Sequence, residues 1–127
     1  MLKIAVDTTN TTNADAFSHR GMELLAAGSP KEAAQAFRAA IETDPAHVEA
    51  HHGLVRALRD ARNHDQSIAA ALALTALTPN DPLAHTALSI SLQHAGRIPE
   101  AEAAAGRARI LEWKIQLQSS PDVEHRP

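Results

Sequence analysis

No cysteine occurs in the 127 residues, which excludes disulfides and thiolate-bound metals and leaves the redox compartment open. Aromatic residues are nearly as scarce: Phe17, Phe37 and Trp113 are the whole set. The core must therefore be unusual, with few large rings. Alanine, the strongest helix former, dominates instead and lets helices approach closely. Strand formers are sparse and scattered, and no Asn-Gly or Asp-Gly pair signals a hairpin. Composition and length together favour one all-α domain.

Further absences narrow the function. No apolar run approaches the ~18 residues that span a bilayer. The opening MLKIAVDTTNTTN has one lysine and an apolar patch too short for a secretory signal. A cytoplasmic location without membrane attachment is the expectation. The net charge of −3 is mild and its signs are interspersed, unlike the basic stripe that nucleic acid requires. There is no Gly-rich phosphate loop, no G-x-S-x-G and no HExxH, so no catalytic residue can be assigned, and neither an enzyme nor a cofactor is expected. Among eight histidines, His47 and His51 have the one-turn spacing of two zinc ligands, but no third ligand is evident beyond His52 or His85. No metal site is expected.

What is present is a recurring pattern. Residues 1–13 alternate Leu2, Ile4 and Val6 with polar residues, then become a Thr/Asn run, and read as a flexible leader. A helix is expected after Asn13 as N-cap, carrying Phe17, Arg20, Gly21, Leu24 and Leu25. Gly28 ends it. Ser29-Pro30-Lys31-Glu32 opens the next helix as a capping box with proline at the first helical position, and Ala33, Ala36, Phe37, Ala40 and Ile41 form its buried stripe. Thr43-Asp44-Pro45 ends that helix and caps the next. The skeleton returns 34 residues later, with Arg62-Asn63 in place of Gly-Ser, Asn63 as cap and a stop at Thr78-Pro79. It returns again from Asp81-Pro82, with Gly96 and Pro99 as punctuation. The last helix has Trp113 where the earlier ones have Pro45 and Pro79, and it continues to about Gln118.

A 34-residue helix-turn-helix period resembles the tetratricopeptide repeat. In the first unit Phe17 stands in the tryptophan slot, Gly21 in the glycine slot and Leu24 in the tyrosine slot, followed by Ala33, Phe37 and Pro45. Leu54, Leu58, Ser67, Ala71 and Pro79 match in the second unit, and Leu88, Leu92, Ala101 and Ala105 in the third. His51 and His85 depart at the tryptophan slot, and Val55 and Ser89 at the glycine slot. The resemblance implies a right-handed α-solenoid of three units, 14–47, 48–81 and 82–118, with an extended C-terminal helix and a polar tail over 119–127. The first unit, with two of the three aromatics, is expected to anchor it.

In this family the first helix of each unit forms a concave inner face that binds a peptide or protein segment. The resemblance places Ser18 and Met22 there, with Glu49, His52, Arg56 and Arg59 from the second unit and Thr86, Ile90, Gln93 and His94 from the third. Arg56 and Arg59, one turn apart, suit a partner's carboxylate. The family's carboxylate clamp for chaperone tails needs Lys and Asn at inner positions held here by Ser18, Met22, Gly53, Leu83 and Ala87, so that variant is not expected. In the last helix, Ala101, Ala104, Ala105, Ala108, Leu111 and Ile115 should pack on the third unit. Gly106, Ile110, Trp113 and Leu117 form a second stripe at the end of the array, suited to a partner, a second copy or the leader segment. The expectation is a protein-interaction adaptor. A chaperone of secretion substrates, or a structural protein that self-assembles through its terminal helix, is the alternative.

Overall fold

The computed structural model describes the backbone of residues 2–119 and the side chains of residues 13–119. Among the described residues there are six helices: α1 (Leu2–Ala26), α2 (Pro30–Thr43), α3 (Val48–Asp60), α4 (His64–Leu77), α5 (Pro82–His94) and α6 (Ile98–Ser119). The polar tail lies outside the described residues from 120 onward. Each odd helix pairs with the even helix that follows it, and each even helix packs on the next odd one. The odd helices also approach one another, α1 to α3 and α3 to α5, while the even helices make no comparable approach. The stack is therefore pinched on its odd-helix side and splayed on the other. This is a solenoid with α1, α3 and α5 inside the curve. No helix among the described residues is long and apolar enough to cross a membrane.

The turns inside the three pairs are copies at 34-residue spacing. Gly28, Arg62 and Gly96 have φ of 79°, 63° and 78°, the left-handed region. At each, two backbone bonds close the helix end. Gly28 N–H donates to Leu25 O at 3.0 Å and Ser29 N–H to Leu24 O at 2.9 Å. Arg62 and Asn63 repeat this on Arg59 and Leu58, and Gly96 and Arg97 on Gln93 and Leu92. This is the Schellman ending, which satisfies carbonyls the helix leaves unpaired. It also explains why the expected side-chain caps fail. Ser29 and Asn63 sit at the N-cap positions of α2 and α4 but make no capping bond. Their ψ values of 68° and 75° are set by the preceding turn, not by the extended backbone that aims a cap.

The caps that do form are on α3 and α5. Asp81 accepts from Leu83 N–H at 3.0 Å. His47, rather than Asp44, caps α3: its Nδ1 accepts from Ala50 N–H at 3.1 Å, which leaves the ring proton on Nε2 to donate to Asp15 Oδ1 at 2.6 Å. His51 and His85 hold the Pro45 and Pro79 carbonyls, both at 2.8 Å. These two departures from the tryptophan slot are thus turn clasps repeated at the same period.

The core is alanine-lined around one ring. Phe37 is 0% exposed and lies against the backbones of α1 and α3, where a Cβ at Gly21 or Gly53 would come within 2.7 or 2.3 Å of it. Ala33, Ala34, Ala40, Ala50, Ala57 and Leu58 enclose the ring. In the later units Val55 and Ser89 replace glycine, and serines satisfy the buried polar atoms: Ser67 reaches Val55 O and Ser91 Oγ, and Ser89 reaches Ala101 O.

Three expectations are corrected. The helix does not begin after Asn13, because α1 runs from Leu2; the Thr/Asn run contains no glycine or proline to stop it. Phe17, in the tryptophan slot, is 40% exposed, so of the first unit's two aromatics Phe37 alone lies in the core, where it occupies the space between α1 and α3. Ile115 continues the buried stripe of α6 but is exposed, because α6, 22 residues long, outruns the 13-residue α5 against which it packs.

Candidate functional site

The inner face is built by α1, α3 and α5, and shallow depressions adjoin along it. One of about 490 Å³ is lined by Ser18, Met22, Glu49, His52, Gly53, Arg56 and Leu83. The next, about 270 Å³, shares His52, Arg56 and Leu83 and adds Arg59, Thr86 and Ile90. A third lies over the α1–α3 junction between Asp15, Ser18, Met22, His47 and Glu49. Eight of the ten residues expected on this face line these depressions. Gln93 and His94 do not: they are exposed at the C-terminal end of α5, beyond the lined region. Ser18 is 4% exposed and offers little to a ligand. Leu83, an inner position in the family register, is 62% exposed and shared by two depressions.

The electrostatics of the face centre on the arginine pair. Neither Arg56 nor Arg59 has an ion-pair partner among the described residues, whose three close pairs are His19–Glu23, His47–Asp15 and Arg97–Glu100. Burial presses Arg59 below the usual arginine value, Asp60 draws it back up, and Arg56 adds repulsion. The guanidinium stays charged regardless. His52 is held below its usual value, first by burial, with Asp81 opposing and His51 adding to the effect. Its ring is neutral near pH 7. The face therefore presents two cations without a close ion pair, with Asp60 and Glu49 near them, beside Met22, Leu83 and Ile90. Among the described residues no group of three His, Asp or Glu side chains has metal-holding geometry.

The second predicted surface is displaced from its expected position. In the 34-residue register, the rows that seat α3 on α2 and α5 on α4 contain Ala34 and Ile68, both buried; their counterpart in α6 is Glu102, which is exposed. Arg109 likewise replaces the half-buried Ile41 and Thr75. The face awaiting a following helix is thus polar. Gly106 and Ile110 correspond instead to Arg38 and Glu42, which are exposed on the outer side of α2, and Trp113 continues that row past the point where α2 ends at Thr43. The Ile110, Trp113 and Leu117 stripe lies on the convex surface.

The profile of the tetratricopeptide repeat matches residues 24–90, more than half of the chain. The chain belongs to the tetratricopeptide-repeat family. Solved structures agree with the solenoid. The crystal structure of MamA superposes with a TM-score of 0.75 at 22% identity, covering 82% of this chain and 61% of that one. The second tetratricopeptide domain of Spaghetti (RPAP3), bound to the HSP90 peptide SRMEEVD, gives 0.74 at 16% identity over 81% of this chain and 95% of that one. The Yersinia enterocolitica type III secretion translocator chaperone SycD gives 0.74 at 16% identity, covering 89% and 82%. This chain thus spans 61% of the length of MamA, and identities this low speak to the fold alone. No curated protein sequence matches it.

Proposed function

We propose that this tetratricopeptide-repeat protein is a non-enzymatic adaptor that binds a partner's peptide segment on the α1/α3/α5 face. The observation that carries this reading is the arginine pair. Arg56 and Arg59 face a depression without an intramolecular carboxylate, next to the exposed Leu83 and the half-buried Ile90. A carboxylate brought by a partner would form charge-assisted bonds to both guanidinium groups, while an aliphatic side chain one or two residues away would cover Leu83. The likeness to the RPAP3 domain, seen with an acidic HSP90 peptide, supports a segment of that general kind. The inner positions Ser18, Met22, Gly53, Leu83 and Ala87 are not those of a chaperone-tail clamp, so here the arginines rather than a Lys/Asn set would hold the charge.

The test is selection from a displayed random-peptide library. Wild type should enrich segments with an acidic residue near an aliphatic one, and Arg56→Glu with Arg59→Glu should abolish that enrichment. The same peptides emerging from both proteins would defeat the assignment. The likeness to SycD supports a second reading, a chaperone for secreted clients. Under it the concave face would keep a co-expressed client soluble, and the same charge reversals would release the client.

A further inference from the structure

The three depressions of the inner face form one groove, because each shares residues with the next. The first and the middle one have Ser18, Met22 and Glu49 in common, and the middle and the last have His52, Arg56 and Leu83. Their charges differ in sign. The first, about 610 Å³, is lined by the carboxylates of Asp15 and Glu49 and by no lysine or arginine. The last is lined by Arg56 and Arg59 and by no carboxylate. The middle one holds Glu49 and Arg56 together with Met22 and Leu83, two exposed apolar side chains.

Each end keeps its charge for a local reason. Asp15 accepts from Nε2–H of the buried His47. The same ring accepts from Ala50 N–H at Nδ1, and an imidazole that accepts at one nitrogen and donates at the other is neutral. Asp15 is thus held in position without being cancelled. Glu49, Arg56 and Arg59 have no close ion-pair partner among the described residues. Two more carboxylates lie nearby, Asp60 by Arg59 and Asp81 by His52. Neither lines any of the three depressions, and Asp81 is already bonded to Leu83 N–H. Opposite charges on a helix meet when three or four positions apart. Glu49 and Arg56 stand seven apart, about 10.5 Å along α3, and leave each other free.

We infer that the groove selects a partner segment of mixed charge, with a basic side chain over Asp15 and Glu49, an acidic one over Arg56 and Arg59, and aliphatic residues on Met22 and Leu83 between them. Resting on the same adaptor role, this selection gives the partner a second charge. The separation of the two ends sets the spacing. An extended segment in the polyproline conformation advances ~3.1 Å per residue and turns once in about three. Residues three apart therefore present their side chains on one side, about 9 Å from each other. A uniformly acidic segment is attracted at the arginines but repelled at Asp15 and Glu49. Such repulsion of the wrong partner supplies selectivity that attraction alone does not.

The probes are four synthetic peptides that differ only in a central core: Lys-Leu-Leu-Glu, the reverse order Glu-Leu-Leu-Lys, Glu-Leu-Leu-Glu and Lys-Leu-Leu-Lys. Fluorescence anisotropy is read at low ionic strength, where exposed charges are least screened. One of the two mixed orders should bind at least about fivefold more tightly than either uniform peptide. Glu49→Lys should turn that ranking in favour of Glu-Leu-Leu-Glu. Glu49 is exposed, so circular dichroism should show the variant folded as wild type is. The inference is overturned if Glu-Leu-Leu-Glu binds wild type as tightly as the better mixed peptide and loses that binding in Arg56→Glu, an outcome that leaves the adaptor role intact. It is overturned equally if the preference for a mixed peptide survives Glu49→Lys. Sedimentation that shows wild type self-associating, and Arg56→Glu monomeric, would put a second copy in the groove and overturn it too. Failure of all four peptides to bind, or binding indifferent to Arg56→Glu, removes the adaptor role and the selection together.

Discussion

Packing around a single ring shows how far one residue governs this fold. Phe37 is the largest fully buried side chain and touches the helices on either side of its own. Two glycines thirty-two positions apart in sequence, Gly21 and Gly53, are small for the same reason. Gly53→Ala would normally strengthen an exposed helix by about 1 kcal/mol. Here the added methyl would lie 2.3 Å from a ring that has nowhere to go, so the substitution should instead cost about 1–3 kcal/mol, the usual range for overpacking. Urea denaturation of Gly53→Ala, Phe37→Leu and the double variant checks this. The double variant should be more stable than the sum of the two losses predicts, because the smaller side chain relieves the clash. Gly53→Ala alone leaving the midpoint unmoved would mean that the ring is not gripped.

At the level of helices and turns, much was legible because proline and glycine punctuate the chain. Gly28, Pro30, Gly96 and Pro99 announce helix ends, and the 34-residue repetition locates the same event at Arg62, where neither glycine nor proline stands. Arginine in the left-handed region is strained by roughly 1–3 kcal/mol, and glycine there loses part of that gain to its freer unfolded chain. Arg62→Gly should therefore stabilise the protein by about 0.5–1 kcal/mol, read as a shift of the urea midpoint with unchanged slope. Arg62→Ala, which keeps the Cβ, should give no comparable gain. Other features were hidden because they depend on partners far apart in sequence. His47 looks like half of a zinc pair, yet it caps α3 and reaches 32 residues back to Asp15. Ser29 and Glu32 spell a capping box, but the preceding Schellman turn fixes the backbone first. The second stripe of α6 was legible as apolar, whereas its place on the convex side required the register of α2 and α4 as a ruler.

For the molecule as a whole, the family pattern was enough to place the concave face on α1, α3 and α5, because the period assigns every residue a helix and a side. It could not show which inner positions are open, since that depends on helix separation; this is why Ser18 closes over and Leu83 opens. His52 sits where folding and the inner face meet. Its ring lines both central depressions and is disfavoured as a cation chiefly by burial. The unfolded chain then takes up a proton near the ordinary value of 6.5 while the folded chain resists until lower pH. The resulting stability is complete above that ordinary value. It is lost progressively as the pH falls through it and on through the lower folded value. Urea midpoints at about pH 7.5 and about pH 5 should fall further for wild type than for His52→Gln, which has no proton to take up. The difference between the two drops isolates this ring together with its coupling to His51. An identical drop in the two proteins would show that burial of His52 does not carry the pH dependence of the solenoid.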